Sequence, residues 1–207
     1  MLKIINHHNC CVIGDVYNGK TSLIRNLQQM KSTGNTDTTI GIDFHDKNFL
    51  INGRKIRLHI WDTPGGQEHR AMTKNAIRNV DIACIVYDIS DKNPEKQVNE
   101  VKYWLKYLVD FDPSVICILG NKTDKKENNN CRDLVHAAAI HQAEEEVEWQ
   151  LSPTGRSNLF EPRNSCPLMF FEETHMFNNS MHSVLEKSLE AMERIPYVDL
   201  ANRGLPL

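Results

Sequence analysis

The chain has 207 residues, 40% of them hydrophobic and 25% charged, with a formal net charge of −3. That length and composition predict one soluble globular domain with enough apolar residues for a core. The slight acidity argues against a nucleic-acid binder built on a basic face. No apolar run reaches the roughly 18–20 residues of a spanning helix, and the stretch from Met1 to His8 is too short an apolar run for a signal peptide. The six cysteines, at 10, 11, 84, 117, 131 and 166, form no Cys-x-x-Cys pair. Cys84 and Cys117 stand inside apolar runs, so reduced thiols in a cytoplasmic chain are expected.

In chain order, Cys10-Cys11-Val12-Ile13 predicts a buried strand that meets a loop at Gly14. A helix follows over Thr21 to Met30, with Leu23, Ile24 and Leu27 inward. Between Phe44 and Trp61, two runs with alternating apolar positions flank Asn52-Gly53, which predicts an antiparallel hairpin. The continuous apolar runs 82–87 and 115–119 read as strands of a parallel sheet, covered by helices on both faces. Pro94 to Val109 reads as a helix between them, in which Tyr103, Trp104 and Tyr107 mean packing. Leu168–Phe171 is a further strand and Met181–Ile195 a final helix.

The sum is an α/β domain with a mostly parallel sheet and one antiparallel edge hairpin. Between Asp124 and Phe170 lie 45 residues, more than a minimal domain needs. They comprise a Lys- and Asn-rich stretch, a helix expected from Arg132 to Trp149, and a Pro-containing loop over 151–167. A tolerated surface insertion is the simpler reading, a partner-binding loop the alternative. Glu144-Glu145-Glu146 reads as a solvated helix face. His7, His8, Cys10 and Cys11 do not read as a metal cluster, because neighbouring strand residues point to opposite faces.

Gly14-Asp15-Val16-Tyr17-Asn18-Gly19-Lys20-Thr21 satisfies G-x-x-x-x-G-K-(S/T) between a predicted strand and a predicted helix. In that setting backbone N–H groups of Tyr17 to Ser22 converge on phosphate oxygens, and the helix dipole adds to the field. Lys20 supplies a positive charge for the β- and γ-phosphates, and the Thr21 hydroxyl a ligand for Mg²⁺. Asn121-Lys122-Thr123-Asp124, directly after the apolar run 115–119, identifies the base. A carboxylate at Asp124 accepts hydrogen bonds from two guanine donors that adenine lacks, and the Lys122 stem covers one face of the base. Asp62, in Trp61-Asp62-Thr63-Pro64-Gly65, is placed to orient Mg²⁺ through water, and the Gly65 N–H to reach a γ-phosphate.

With these motifs the chain resembles the Ras-superfamily small GTPases, nearest their Rab branch. Thr38-Thr39-Ile40-Gly41-Ile42-Asp43-Phe44 resembles switch I, and Val86-Tyr87-Asp88-Ile89-Ser90-Asp91 the strand after switch II. The likeness runs from about residue 9 to 124 and resumes over 168–195. It implies a P-loop NTPase G domain over 1–207, six strands, and an enlarged insertion at 125–167. It further implies GTP/GDP and Mg²⁺ as ligands, with Thr39 both binding Mg²⁺ and sensing the γ-phosphate. Effector, exchange-factor and GTPase-activating proteins would bind through the switches around Phe44 and Trp61.

The departures from the pattern bear on turnover. Gly66 stands where the family has the water-positioning Gln, and Gln67 comes one place late. Val16 replaces a Gly or Ser, where a branched side chain obstructs hydrolysis in the family, and Tyr17 replaces a Gly. Ser32 falls where an aromatic stacks on guanine, Thr174-His175-Met176 replaces the last base-binding loop, and Ala76 takes the third place of the effector-facing aromatic triad. No cysteine lies within 201–207 to accept a prenyl group, so either the sequence is truncated or the protein is soluble, peripheral on membranes through partners. The expectation is a Rab-like, Mg²⁺-dependent switch with slow hydrolysis, in which Lys20 and Gln67 carry catalysis and which acts in trafficking or signalling. The alternative is a GTP-locked or inactive module that recruits or titrates Rab partners. A P-loop ATPase is disfavoured by Asp124.

Overall fold

The computed structural model describes residues 4–30, 38–108, 111, 113–125, 130–150, 168–173, 181 and 185–186. The described strands are β1 (Ile4–Ile13), β2 (Asp43–Ile51), β3 (Arg54–Asp62), β4 (Ile82–Asp88), β5 (Val115–Asn121) and β6 (Leu168–Glu173). They form one sheet in the order β2-β3-β1-β4-β5-β6. β2 and β3 pair antiparallel, and every other neighbour pairs parallel. The hairpin turn is the expected one: Asn52 and Gly53 both adopt positive φ, 49° and 76°, as a tight right-twisted connection demands. β5 is buried along its whole length and β4 over all but Asp88, which is why both read as unbroken apolar runs.

Helices cover both faces. On one, α1 (Lys20–Leu27) lays Leu23, Ile24 and Leu27 on Cys10, Val12, Leu58, Ile60, Cys84 and Cys117, and buried Met181 and Leu185 join the same cluster. On the other, α3 (Pro94–Leu108) and α4 (Cys131–Gln150) pack side by side. Val101, Trp104, Leu105, Leu108, Cys131, Val135 and Ala139 there meet Cys11, Ile13, Ala83, Ile85, Tyr87, Ile116 and Ile118. β1, β4 and β5 contribute to both clusters in strict alternation, so a one-residue slip in register would exchange them.

Several boundaries differ from the sequence expectation. β1 begins at Ile4 rather than Cys10, because the polar residues ahead of the apolar run still pair with β3, in the register His7↔Arg57, His8↔Leu58 and Asn9↔His59. His8 is buried on the α1 side, and burial lowers its pKa. His7 lies on the opposite face, stacked on His59, so the histidines and the cysteine pair indeed divide between faces. α1 stops at Leu27, three residues before the expected Met30, where Gln29 turns to φ 59°. The remainder of the expected 181–195 helix, the 151–167 loop and the side chains of Glu144 to Glu146 lie outside the described residues.

A short helix, α2 (Arg70–Ala76), was not expected from the sequence; single 3₁₀ turns at Gln67–His69 and Ile77–Asn79 flank it. It buries Thr73, with Ile77 just beyond, and polar side chains fasten it to α3. The Arg70 guanidinium meets Glu100 at 2.5 Å and lies 3.7 Å from the Tyr103 ring centre, while the Lys74 ammonium sits 4.1 Å from that of Tyr107. All three aromatics on α3 pack on the core as expected, and the two tyrosines also hold cations.

The two ends of the burial scale give a stability test. Leu58, fully buried, should cost about 2–5 kcal/mol on conversion to Ala, from lost transfer energy plus the cavity left behind. Leu50 on the neighbouring strand is 58% exposed, and Leu50→Ala should stay within about 0.5 kcal/mol. Urea midpoints of the two variants measure the contrast.

Candidate functional site

β1 ends at Ile13 and the chain must leave the sheet at once. Gly14 does this with φ 140°, pressed so close to β4 that a Cβ would fall 2.2 Å from the Val86 carbonyl oxygen. The loop then passes Tyr17, in the left-handed region at φ 63° with its ring 66% exposed. The conformation the family assigns to glycine is thus kept, and the ring turns toward solvent. Asn18 is buried and fixes the loop: its Nδ2 donates to the Val86 carbonyl at 2.9 Å and to Gln97 Oε1 at 3.2 Å. Gly19, at φ 86°, starts α1 without a side-chain cap. The first-turn N–H groups therefore face the loop's hollow with no side chain to satisfy them, the arrangement that suits an anion. Ser22 is exposed on that turn.

Inside the hollow Lys20 is buried, and its Nζ donates to the Gly14 and Asp15 carbonyls at 3.0 and 2.8 Å. Burial lowers its pKa, opposed by Asp62, Asp15 and Glu100. Asp62, the last residue of β3, is fully buried, and neither carboxylate oxygen has a hydrogen bond of good geometry. Burial raises its pKa; the Thr21 hydroxyl and the Lys20 ammonium pull the other way without offsetting it. Next to it Thr21 Oγ1 and Thr39 Oγ1 lie 3.0 Å apart, bringing α1 and the segment before β2 together. An orphaned buried carboxylate beside two converging hydroxyls is a hard-oxygen donor set, and it fits a small divalent cation such as Mg²⁺. Thr21, Thr39 and Asp62 are the residues that would hold one, Asp62 through water.

After β3, Thr63 is buried and its hydroxyl donates to the Val12 carbonyl at 2.8 Å. Gly65 then lies so close to the P-loop that a Cβ would fall 2.4 Å from the Val16 nitrogen. Gly66, at φ 91°, redirects the chain into the 3₁₀ turn that carries Gln67. Gln67 is exposed and lines a cleft of about 480 Å³ with Asp15, Arg70, Lys96, Glu100 and Tyr103, between the P-loop, α2 and α3. The late Gln is therefore present beside the loop, on its α3 side.

Asn121 closes β5, and its Nδ2 donates to the Asn18 carbonyl at 2.8 Å, joining the two expected binding loops. Lys122 follows in the left-handed region at φ 64°, with its Nζ 2.6 Å from Asp88 Oδ2 at the end of β4. Burial pushes the Asp88 carboxyl up, but hydrogen bonds from Lys122 and Ser90 outweigh it and leave the pKa lowered. Asp124 is exposed on the 3₁₀ turn Thr123–Lys125, open to a ligand. Thr174, His175 and Ser32 lie outside the described residues.

Sequence reasoning passed over Gln97, which is 1% exposed. Its Oε1 accepts from Asn18 and from the Asp88 N–H, both at 3.2 Å, and its Nε2 donates to Asp91 at 2.6 Å. A glutamine in helical phase with the inward Val101, Trp104 and Leu108 was the available signal. The Asp62 geometry yields a pH test. A carboxyl whose native pKa is raised favours the native state while protonated, and that contribution falls as pH rises from its ordinary 3.8 through the raised value. Asp62→Asn should therefore melt above the wild type at about pH 7 in the absence of ligand, the gap closing toward about pH 4, as thermal scans across that range would record.

Comparison with known proteins agrees with this geometry. The Ras family profile matches residues 9–155. The chain is 33% identical over 123 residues to Ras-related protein RabQ of Dictyostelium discoideum, covering 58% of this chain and 59% of that one. To human Ras-related protein Rab-44 it is 35% identical over 117 residues, 56% of this chain and only 11% of the relative, so for both proteins the match stays short of two thirds of their length. To GTP-binding protein ypt3 of Schizosaccharomyces pombe it is 33% identical over 196 residues, 94% of this chain and 78% of that one. On these matches, and on a sheet and loop arrangement that agree with them, the chain belongs to the Ras family, in its Rab-like branch.

Proposed function

We propose that this chain is a guanine-nucleotide switch, binding GTP and GDP with Mg²⁺ and hydrolysing GTP slowly. The observation that carries the reading is the buried pair of incompletely satisfied charges, Lys20 and Asp62, beside Thr21, Thr39 and an uncapped helix start. A polyphosphate with its cation supplies what both lack: anionic oxygens for the ammonium and the helix N–H groups, and a metal-bound water for the carboxylate.

Mg²⁺ neutralises phosphate charge when bound. Lys20 would exchange its two carbonyl partners for β- and γ-phosphate oxygens, and the Gly65 N–H would meet the γ-phosphate. Asp124 would accept from guanine, Lys122 cover the base, and Asn121 keep the base loop and P-loop in register. Hydrolysis would be in-line attack of water on the γ-phosphorus, breaking its bond to the bridging oxygen and releasing GDP and phosphate. Gln67 is the residue to position that water. Its place in the cleft toward α3, after the extra Gly66, supports slow turnover, as does the tight approach of Gly65 to the Val16 backbone.

The same two observations favour a second reading, a GTP-locked module that engages Rab partners without turnover. Partners would meet the exposed apolar surface of Ile40, Phe44 and Met72, where Phe44 packs edge-on against Trp61 at 5.0 Å. A cytoplasmic location, with membrane contact through those partners, accords with this. Single-turnover hydrolysis separates the readings: measurable phosphate release supports the slow enzyme, and none above background the module.

Two substitutions test the assignments by nucleotide titration. Lys20→Ala should weaken GTP and GDP together, by at least about tenfold, through loss of a charge-assisted contact. Asp124→Asn should weaken GTP by about 1.5–3 kcal/mol and shift preference toward xanthine nucleotides, which carry an oxygen where guanine has its amine. Unchanged guanine selectivity would refute the role given to Asp124.

A further inference from the structure

The proposed function leaves one P-loop charge without a task. Asp15, directly after Gly14, places a carboxylate that is only 11% exposed beside a loop meant for polyphosphate. Its charge reaches the interior of the site, being one of those acting on buried Lys20. The Asp15 backbone lies against Gly65, whose N–H is assigned to the γ-phosphate: a Cβ on Gly65 would fall 2.7 Å from the Asp15 carbonyl carbon. Left alone, such a group would repel the ligand.

It is not left alone. Asp15 Oδ1 accepts the Val16 N–H at 2.8 Å, and Oδ2 lies 2.5 Å from Lys96 Nζ, on the first turn of α3. The next residue, Gln97, holds Asn18, so this one turn of helix grips the P-loop at two points. An exposed Lys–Asp pair contributes little. Here the lysine is half exposed but the carboxylate is enclosed, and removing the partner of an enclosed charge costs far more than the pair itself is worth.

We infer that Lys96 is a positioning residue of the nucleotide site, which neutralises Asp15 and holds the P-loop so that a triphosphate meets N–H donors instead of an uncompensated carboxylate. The inference rests on the guanine-nucleotide reading and deepens it. It makes a helix some 80 residues beyond the P-loop part of the phosphate-binding electrostatics. GTP, with one more phosphate than GDP, is the more sensitive ligand.

The test measures GTP and GDP affinity of the full chain for the wild type, Lys96→Met, Lys96→Arg and the double variant Asp15→Asn/Lys96→Met, with a thermal melt of each. Lys96→Met should lose about tenfold in GTP affinity and less in GDP affinity. Lys96→Arg, which keeps the charge, should stay near the wild type. The double variant should recover the wild-type ratio of GTP to GDP affinity, because the stranded carboxylate is gone. A merely structural lysine would show no such rescue. Unchanged affinities in Lys96→Met, or a loss that persists in the double variant, overturn the inference alone. A wild type that binds no guanine nucleotide overturns the reading beneath it as well.

Discussion

An ammonium and a carboxylate taken out of water, each short of partners, are the constraint around which this molecule is arranged. Lys20 is held by two backbone carbonyls and Asp62 by nothing of good geometry, so burial depresses the one pKa and raises the other. A ligand-free chain bears that cost, offset by the apolar cores buried on both faces of the sheet. β1, which leads into the loop before Lys20, and β3, which ends on Asp62, pair in unbroken register from Asn6↔Ile56 to Val12↔Asp62. A polyphosphate with its cation would relieve both charges at once, which is how a binding site comes to be less stable when empty.

The surroundings act on that pair through α3. Its residues 96, 97, 100, 103 and 107 lie along one side, meeting in turn Asp15, Asn18, Arg70, Arg70 again and Lys74. One helix thus touches both the loop that would hold phosphate and the short helix that follows Gly65. The two segments are thereby packed against one common element. The β2–β3 hairpin, by contrast, has an exposed face where Phe44 contacts His59 and Trp61.

What the sequence made legible was everything carried by local pattern. Unbroken apolar runs marked β4 and β5, Asn52-Gly53 marked the hairpin, and the glycine-spaced segment ending in Lys20-Thr21 marked the loop between β1 and α1 that is proposed to hold phosphate. Pairs brought together by the fold were not legible. Asp15 with Lys96, Asn18 with Gln97 and Arg70 with Glu100 join residues far apart in the chain, and no periodicity announces them. β1 was underestimated because its polar half is kept in place by pairing with β3 rather than by apolar burial. α2 escaped notice because it buries little and is fastened by cations over tyrosine rings, a device that leaves no amphipathic stripe. Tyr17 shows the reverse case: it stands where the family has a glycine, and it keeps a left-handed backbone with its side chain exposed.

The most direct measurement is the nucleotide carried by the purified chain in magnesium-containing buffer, identified by mass and followed after chelation. The account predicts near-stoichiometric guanosine di- or triphosphate, lost faster once the metal is removed, since Thr21, Thr39 and Asp62 hold the ligand partly through it. A chain that retains no guanine nucleotide, or retains one with no response to chelation, would contradict it.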